Sequence, residues 1–158
     1  DHLLVFGSRS GYGWRRLFAR FDPGAAQSAH KSGKRAMERS DERAAAALDV
    51  VRVAVAGLIF IHGAARYYFG GVEPFGGWLE TQGFPFGLQQ AWAVTIYELI
   101  APLFIVARRF VTIACLGHIF ILSLGLVLVH APAGWFVVGL GRNGVEYSVL
   151  LITCLICV

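Results

Sequence analysis

The chain has 158 residues, of which 56% are hydrophobic and 15% charged, and its mean hydropathy is +0.60. The formal net charge of +4 resides in the front third, since residues 1–52 hold ten Lys/Arg and six Asp/Glu whereas residues 53–158 hold four of each. This composition argues against an ordinary soluble domain and a nucleic-acid partner, and it predicts an all-α integral membrane protein whose basic front contacts anionic headgroups.

A basic segment, residues 1–47, precedes the first apolar run. Within it the interfacial candidates Trp14, Phe18 and Phe21 recur at helical spacing, which predicts a short amphipathic helix on the membrane surface. A helix packed on a soluble partner and a disordered basic tail are the alternatives. Residues 25–40 are polar and lack periodicity, so they are predicted to be a linker in this cytoplasmic or interfacial segment.

Four apolar runs predict four transmembrane helices in a second domain, residues 48–158. The linker after the first run is rich in Gly, Pro and aromatic residues, and it predicts one short helix starting at Pro74, with Trp78 at headgroup level. Trp135 is the interfacial candidate in the other linker. The fourth run would cover roughly 22 Å at 1.5 Å per residue, less than a hydrocarbon core of about 30 Å. The predicted spans cover about 49–69, 88–107, 110–130 and 144–158.

The distribution of Lys and Arg predicts the orientation of these spans. Nine basic residues precede the first span, and Arg108 and Arg109 separate the second from the third. The linker after the first span has none, and the linker after the third has only Arg142. The positive-inside rule therefore places the N-terminus, the Arg108–Arg109 turn and the C-terminus in the cytoplasm.

Glu98 is the residue in the second span that most needs an explanation. An ionised Glu at the centre of a bilayer costs roughly 2.5 kcal/mol or more, and it must face a protein interior or a wet cavity. Pro102, four residues later, cannot donate the helical hydrogen bond to the Glu98 carbonyl, which predicts a helix kink beside the same side chain.

Other polar side chains fall at matching depths in the outer half of the predicted bundle. One polar pocket that opens outward would satisfy their hydrogen bonds, with Tyr147 beside Glu146 at the start of the fourth span; its lining residues would be His62, Arg66, Glu98, His130 and Glu146. Backbone hydrogen bonding, snorkelling and helix capping are the alternative roles. His118 is expected to make an interhelical hydrogen bond. No metal is expected, because the chain has no H-x-x-H or E-x-x-H spacing. The candidates for ligand binding or proton handling are His62, Arg66, Glu98, His130, Glu146 and Tyr147.

Four stretches carry a family resemblance in their order and spacing: LDVVRVAVAGLIFIHGAARYYFG, GGWLETQGFPF, YELIAPLFIVARRFVTIACLGHIFI and LVHAPAGWFVVGLGRNGVEYSVLLI. Together they resemble the DoxX family of small four-helix membrane proteins of the bacterial cytoplasmic (inner) membrane. The resemblance implies a four-helix bundle and a role near quinone-linked oxidation or thiol stress. It directs attention to His62, Glu98, His130 and Glu146, and it leaves the basic front segment outside the family pattern.

The leading expectation is a component of a quinone-linked oxidoreductase that binds an apolar redox molecule, such as a quinone, between its helices. The first alternative is a noncatalytic anchor or assembly subunit that recruits a soluble redox enzyme through the basic segment. A small proton-coupled transporter is the second alternative. The expected partners are the lipid bilayer, soluble or membrane oxidoreductase subunits and further copies of the chain. No residue is assigned a catalytic role.

Overall fold

The computed structural model describes residues 23–137 and 143–158. Within these ranges every regular element is a helix, in agreement with the predicted all-α class. The chain divides into two compact units, Asp1–Ala44 and Ala45–Val158. The amphipathic segment predicted around Trp14, Phe18 and Phe21 lies outside the described residues.

Helix α1 spans Pro23–Tyr68 and passes through the boundary between the two units. The prediction of a linker at residues 25–40 is therefore wrong. Proline suits the first position of a helix, and Ala, Lys, Arg, Glu and Met, which are frequent in this stretch, are strong helix formers. An i,i+4 pair, Lys34–Glu38 at 3.9 Å, adds to this. The stretch has no apolar periodicity because the side chains of residues 27–40 are exposed and no apolar face is needed.

Among residues 23–137 and 143–158, three helices are long and apolar enough to cross a membrane, at residues 27–68, 87–106 and 111–133. The fourth predicted span forms a helix of 12 residues, which is apolar but shorter than the roughly 20 residues that a bilayer core requires. The structure thus supports a helical membrane protein. After α1, the helices are α2 Val72–Thr81, α3 Gly87–Val106, α4 Val111–Gly125, a π-helical segment Leu126–His130, a short turn α5 Ala131–Ala133, and α6 Glu146–Cys157.

The outward surface of α4 is apolar, as expected for a helix that is surrounded by lipid. Ile113, Leu116 and Phe120 are 68%, 61% and 64% exposed. Large apolar side chains at this density on one helix are unfavourable in water and normal against lipid. The exposed apolar surface and the length of the helices therefore both indicate a membrane environment.

One apolar core draws side chains from four helices of the second unit. Val55 and Ile59 of α1 are buried there together with Ile105 of α3. Helices α1 and α3 are antiparallel, because Asp49 near the start of the apolar part of α1 pairs with Arg108 just beyond α3, while residues further along α1 meet earlier residues of α3. The remaining core residues are Ala56, Ala101, Ala114, Cys115, Leu151 and Leu155.

Helix α2 packs against the start of α3 through two glycines. A Cβ on Gly76 would lie 2.7 Å from the Leu88 Cα, and one on Gly87 would lie 2.2 Å from the Gly76 carbonyl oxygen. Only glycine permits this approach. The helix was predicted to start at Pro74 and starts two residues earlier, at Val72. The close packing places the aromatic side chains of α2 over the first turns of α3.

Candidate functional site

A buried ion pair joins α1 to α3. Arg66 Nη1 lies 2.7 Å from Glu98 Oε2, and the two side chains are only 13% and 7% exposed. The geometry follows from the antiparallel packing, because Cα–Cβ bonds tilt toward the N-terminus of each helix. Arg66 therefore leans toward Glu98, and Glu98 leans toward Arg66. The carboxylate singled out by its cost in a membrane has a charged partner on the neighbouring helix.

A glycine of α1 sets the spacing of the two helices at this point. A Cβ on Gly63 would lie 2.8 Å from the Glu98 Cβ, so any larger residue would push α1 and α3 apart. Gly63 lies one turn before Arg66 and 14 residues after Asp49, roughly 21 Å along the helix. The ion pair is thus far from the charged end of α1 and inside the apolar part of the structure.

Two further side chains complete the surroundings of the guanidinium. Arg66 Nη1 donates to Thr95 Oγ1 at 3.4 Å, and the Thr95 hydroxyl donates to the Ala91 carbonyl at 2.7 Å. The Arg66 Cζ lies 4.6 Å from the centroid of the Phe75 ring, a cation–π contact. Trp78 stacks on Phe75 with centroids 6.0 Å apart and an interplanar angle of 14°. Arg66 therefore contacts a carboxylate, a hydroxyl and an aromatic face.

His62 lies one turn before Arg66 on α1 and is exposed. It makes no hydrogen bond or ion pair with any side chain in residues 23–137 or 143–158. Pro102, one turn after Glu98, is fully buried within α3, and the helix continues through it to Val106. The predicted kink at Pro102 stays a prediction.

The other two members of the predicted pocket bind the backbone of the segment that connects the π-helical turn to α6. His130 Nδ1 lies 2.8 Å from the Asn143 carbonyl oxygen. Glu146 Oε1 accepts a hydrogen bond from the Val137 N–H at 2.8 Å. Tyr147 is 45% exposed. The structure therefore brings Arg66 and Glu98 together, and it gives His130 and Glu146 partners of their own in this connecting segment.

A second charged cluster joins α1 to the turn after α3. The Asp49 carboxylate accepts from Arg52 Nη1 at 2.6 Å and pairs with Arg108 through its other oxygen. Arg52 is mostly buried, with its Nε without a partner among the described residues. One carboxylate thus serves two guanidiniums, and this end of the helices keeps a positive balance.

Two more polar side chains, His118 and Tyr97, lie at the contact between α3 and α4. His118 is 1% exposed, and its Nδ1 lies 2.7 Å from the Ala114 carbonyl of its own helix. The prediction of an interhelical hydrogen bond is therefore wrong, because the carbonyl one turn back is nearer. The Tyr97 ring lies 4.8 Å from the His118 ring, and its hydroxyl donates to the Ile113 or Ala114 carbonyl at 3.2 or 3.1 Å.

No family model, curated protein or solved structure matches this chain. Membership of the DoxX family therefore stays a prediction from the sequence stretches. In residues 23–137 and 143–158, no group of three His, Cys, Asp or Glu side chains is placed to hold a metal ion. Arg66, Glu98 and the side chains around them form the candidate functional site.

Sequence reasoning missed three contributors to this site. Thr95 lies three residues before Glu98, on the same face of α3, and that spacing is a signal that could have found it. Phe75 gave no such signal, because its position over Arg66 depends on how α2 folds back. Nothing in the sequence marks Gly63 except its position directly after His62. Its role becomes clear once Glu98 is seen beside it.

Proposed function

We propose that this chain is a DoxX-like multi-pass protein of a bacterial inner membrane and a component of a quinone-linked oxidoreductase, with the apolar redox molecule bound beside Arg66 and Glu98. The observation that carries the proposal is the buried ion pair on two helices of membrane length. Ionisable side chains at such depth are costly, and they commonly mark ligand or proton pathways.

The surroundings of Arg66 match what a quinone ring requires. A guanidinium has five N–H donors, and the described contacts use those of Nη1 alone, so donors are left for a quinone carbonyl. The stacked rings of Phe75 and Trp78 offer a flat apolar surface next to these donors. Arg66 is therefore the proposed donor to a quinone carbonyl, whereas the His130 ring binds the Asn143 carbonyl.

Proton transfer is the role proposed for Glu98. Reduction of a quinone to a quinol takes two electrons and two protons. The electrons come from the partner oxidoreductase subunit, and the protons reach the ring oxygens through groups of this chain. The carboxyl of Glu98 can give up a proton and regain it, and His62, which is exposed and one turn away from Arg66, is the proposed relay between the surface and Glu98.

The membrane arrangement in this proposal has four crossings, with both termini and the Arg108–Arg109 turn in the cytoplasm. The apolar core shared by α1, α3, α4 and α6 supports a four-helix packing. The basic residues support the orientation.

A quinone titration of the full chain in detergent micelles tests this function. Trp78 lies at the proposed site, so quenching of tryptophan fluorescence reports binding. We expect Glu98→Gln and Arg66→Gln to weaken binding at least tenfold, whereas Glu42→Gln, a change at an exposed position of α1, leaves it unchanged. Unaltered affinity in both site variants would refute the proposal.

One observation favours the second function, an assembly subunit that recruits a soluble redox enzyme. Residues 27–48 of α1 are exposed along their length, and the stretch carries Lys and Arg on its surface. Exchange of Lys31, Lys34, Arg35 and Arg39 for Gln should abolish recruitment and leave quinone affinity intact. Quinone affinity lost together with recruitment would contradict this division of roles.

A further inference from the structure

An open apolar groove of about 370 Å³ lies between α3 and α4. Ala93, Ile100 and Phe104 lie on its α3 side, and Phe110 and Ile113 lie on its α4 side. Ile100 and Ile113 are 49% and 68% exposed, so the groove faces outward. The Tyr97 hydroxyl also lines it but is already bonded to the α4 backbone. The groove therefore offers surface for an apolar chain and no free donor for a carbonyl.

The length of the groove matches one leaflet of a bilayer. From Ala93 to Phe104 the α3 axis rises roughly 16 Å at 1.5 Å per residue. A hydrocarbon core is about 30 Å thick, so one leaflet accounts for about 15 Å. A single acyl chain that enters from one membrane surface would fill the groove along its length.

The groove ends at a pair of basic residues. Phe104 and Phe110 face each other edge-on at 6.0 Å, and the turn between them contains Arg108 and Arg109. Arg108 is exposed and pairs with Asp49. Arg109 is exposed too, and its side chain makes no hydrogen bond or ion pair within the part of the chain that the structure describes. The turn beside the Phe104 end of the groove therefore carries a guanidinium without a partner among the described residues.

We propose that this groove binds one acyl chain of an anionic phospholipid whose phosphate is held by Arg109 and Arg108. The apolar walls accept the chain, and guanidinium groups bind phosphate oxygens through paired N–H donors. The positive charge of the turn selects an anionic headgroup over a zwitterionic one. A quinone fits this groove less well, since its ring carbonyls would find no donor. The site is separate from Arg66 and Glu98, so it does not depend on the proposed function.

Spin-labelled lipids test the proposal directly. The full chain is reconstituted into phosphatidylcholine vesicles that contain a trace of spin-labelled phosphatidylglycerol or phosphatidylcholine, and the immobilised fraction gives the relative association constant. We expect the chain to prefer phosphatidylglycerol and Arg109→Gln to lower that preference about fivefold, the effect of one basic residue near an anionic surface. Arg109→Lys keeps the positive charge at the same exposed position, so it is the matched control and should retain the preference.

A second variant separates the acyl-chain site from the charge. Ala93 is exposed at the far end of the groove, so Ala93→Phe fills the groove without disturbing the core. It should reduce the immobilised fraction of both lipids and leave the preference between them unchanged. A wild-type chain without preference, an Arg109→Gln chain with full preference, or displacement of the labelled lipid by an added quinone would each overturn the proposal.

Discussion

Replacement of Glu98 by Met tests the energetics of the ion pair on which the proposed site depends. Met is close to Glu in length and leaves no polar group behind, so the change removes the carboxylate and keeps most of the volume. Arg66 then remains charged, because a guanidinium does not lose its proton in proteins. It has only Thr95 and the Phe75 ring as partners.

The magnitude follows from the distance and the burial. At 2.7 Å the Coulomb attraction is about 6 kcal/mol for an effective dielectric constant of about 20. Desolvation of the two groups offsets much of this attraction, whereas removal of one partner from a buried pair costs about 3–5 kcal/mol. Arg66 is two residues from the end of α1 and can turn toward the headgroups. We therefore expect a loss of about 3 kcal/mol in the free energy of unfolding.

Equilibrium unfolding of the full chain in mixed micelles, followed by far-ultraviolet circular dichroism as the denaturing detergent is increased, measures this loss. The double variant Arg66→Met/Glu98→Met removes both charges, and it should be more stable than Glu98→Met alone, because no unpaired charge is left. Glu42→Met, at an exposed position, controls for the general effect of the substitution. A Glu98→Met chain as stable as Glu42→Met, or losses of the two single variants that simply add in the double variant, would show that the ion pair does not contribute as proposed.

Two further stability predictions use the same unfolding measurement. Gly63→Ala should cost about 1–3 kcal/mol, because its Cβ would lie 2.8 Å from the Glu98 Cβ, whereas Gly57→Ala has no atom within 4 Å and should be neutral or stabilising by up to about 1 kcal/mol. Equal stability of the two variants would contradict the close approach of the helices. Asp49→Asn removes the charge that Arg52 shares with the turn after α3, so we expect a loss of about 1–3 kcal/mol, and an unchanged unfolding midpoint would disprove this role.

The positions of the helices in the second unit can be predicted from the sequence because residues that favour turns separate the apolar runs. Gly70 has a φ of +68° just after α1. The turn between α3 and α4 contains basic residues, and Arg108 and Phe110 adopt left-handed φ values of 56° there. The same kind of signal did not identify the N-terminal part of α1 as a helix. An exposed helix without an apolar face has no hydrophobic period, so propensity alone indicates it.

The candidate site was predictable in part for a similar reason. The cost of a carboxylate in an apolar run singles out Glu98 without any tertiary information. Depth alone placed Arg66 among its partners, and the structure places the two in contact. Depth in the membrane could not show whether Arg66, His130 or Glu146 contacts Glu98, because residues at the same depth can face different sides of their helices. The backbone of the segment before α6 satisfies His130 and Glu146, and that segment has no periodic pattern to reveal its course.

Two groups of charged side chains in the second unit differ in how they are paired, and this difference indicates different roles. Arg66 and Glu98 form a neutral pair that is almost closed to solvent, and neutrality is what allows ionisable groups among apolar helices. At the other end Asp49 is outnumbered by basic side chains, and Arg109 has no partner among the described residues. An excess of positive charge is stable only where water or lipid phosphates compensate it, at the membrane surface. The neutral pair therefore suits a molecule that enters the apolar interior, and the unpaired cation suits the surface of the bilayer.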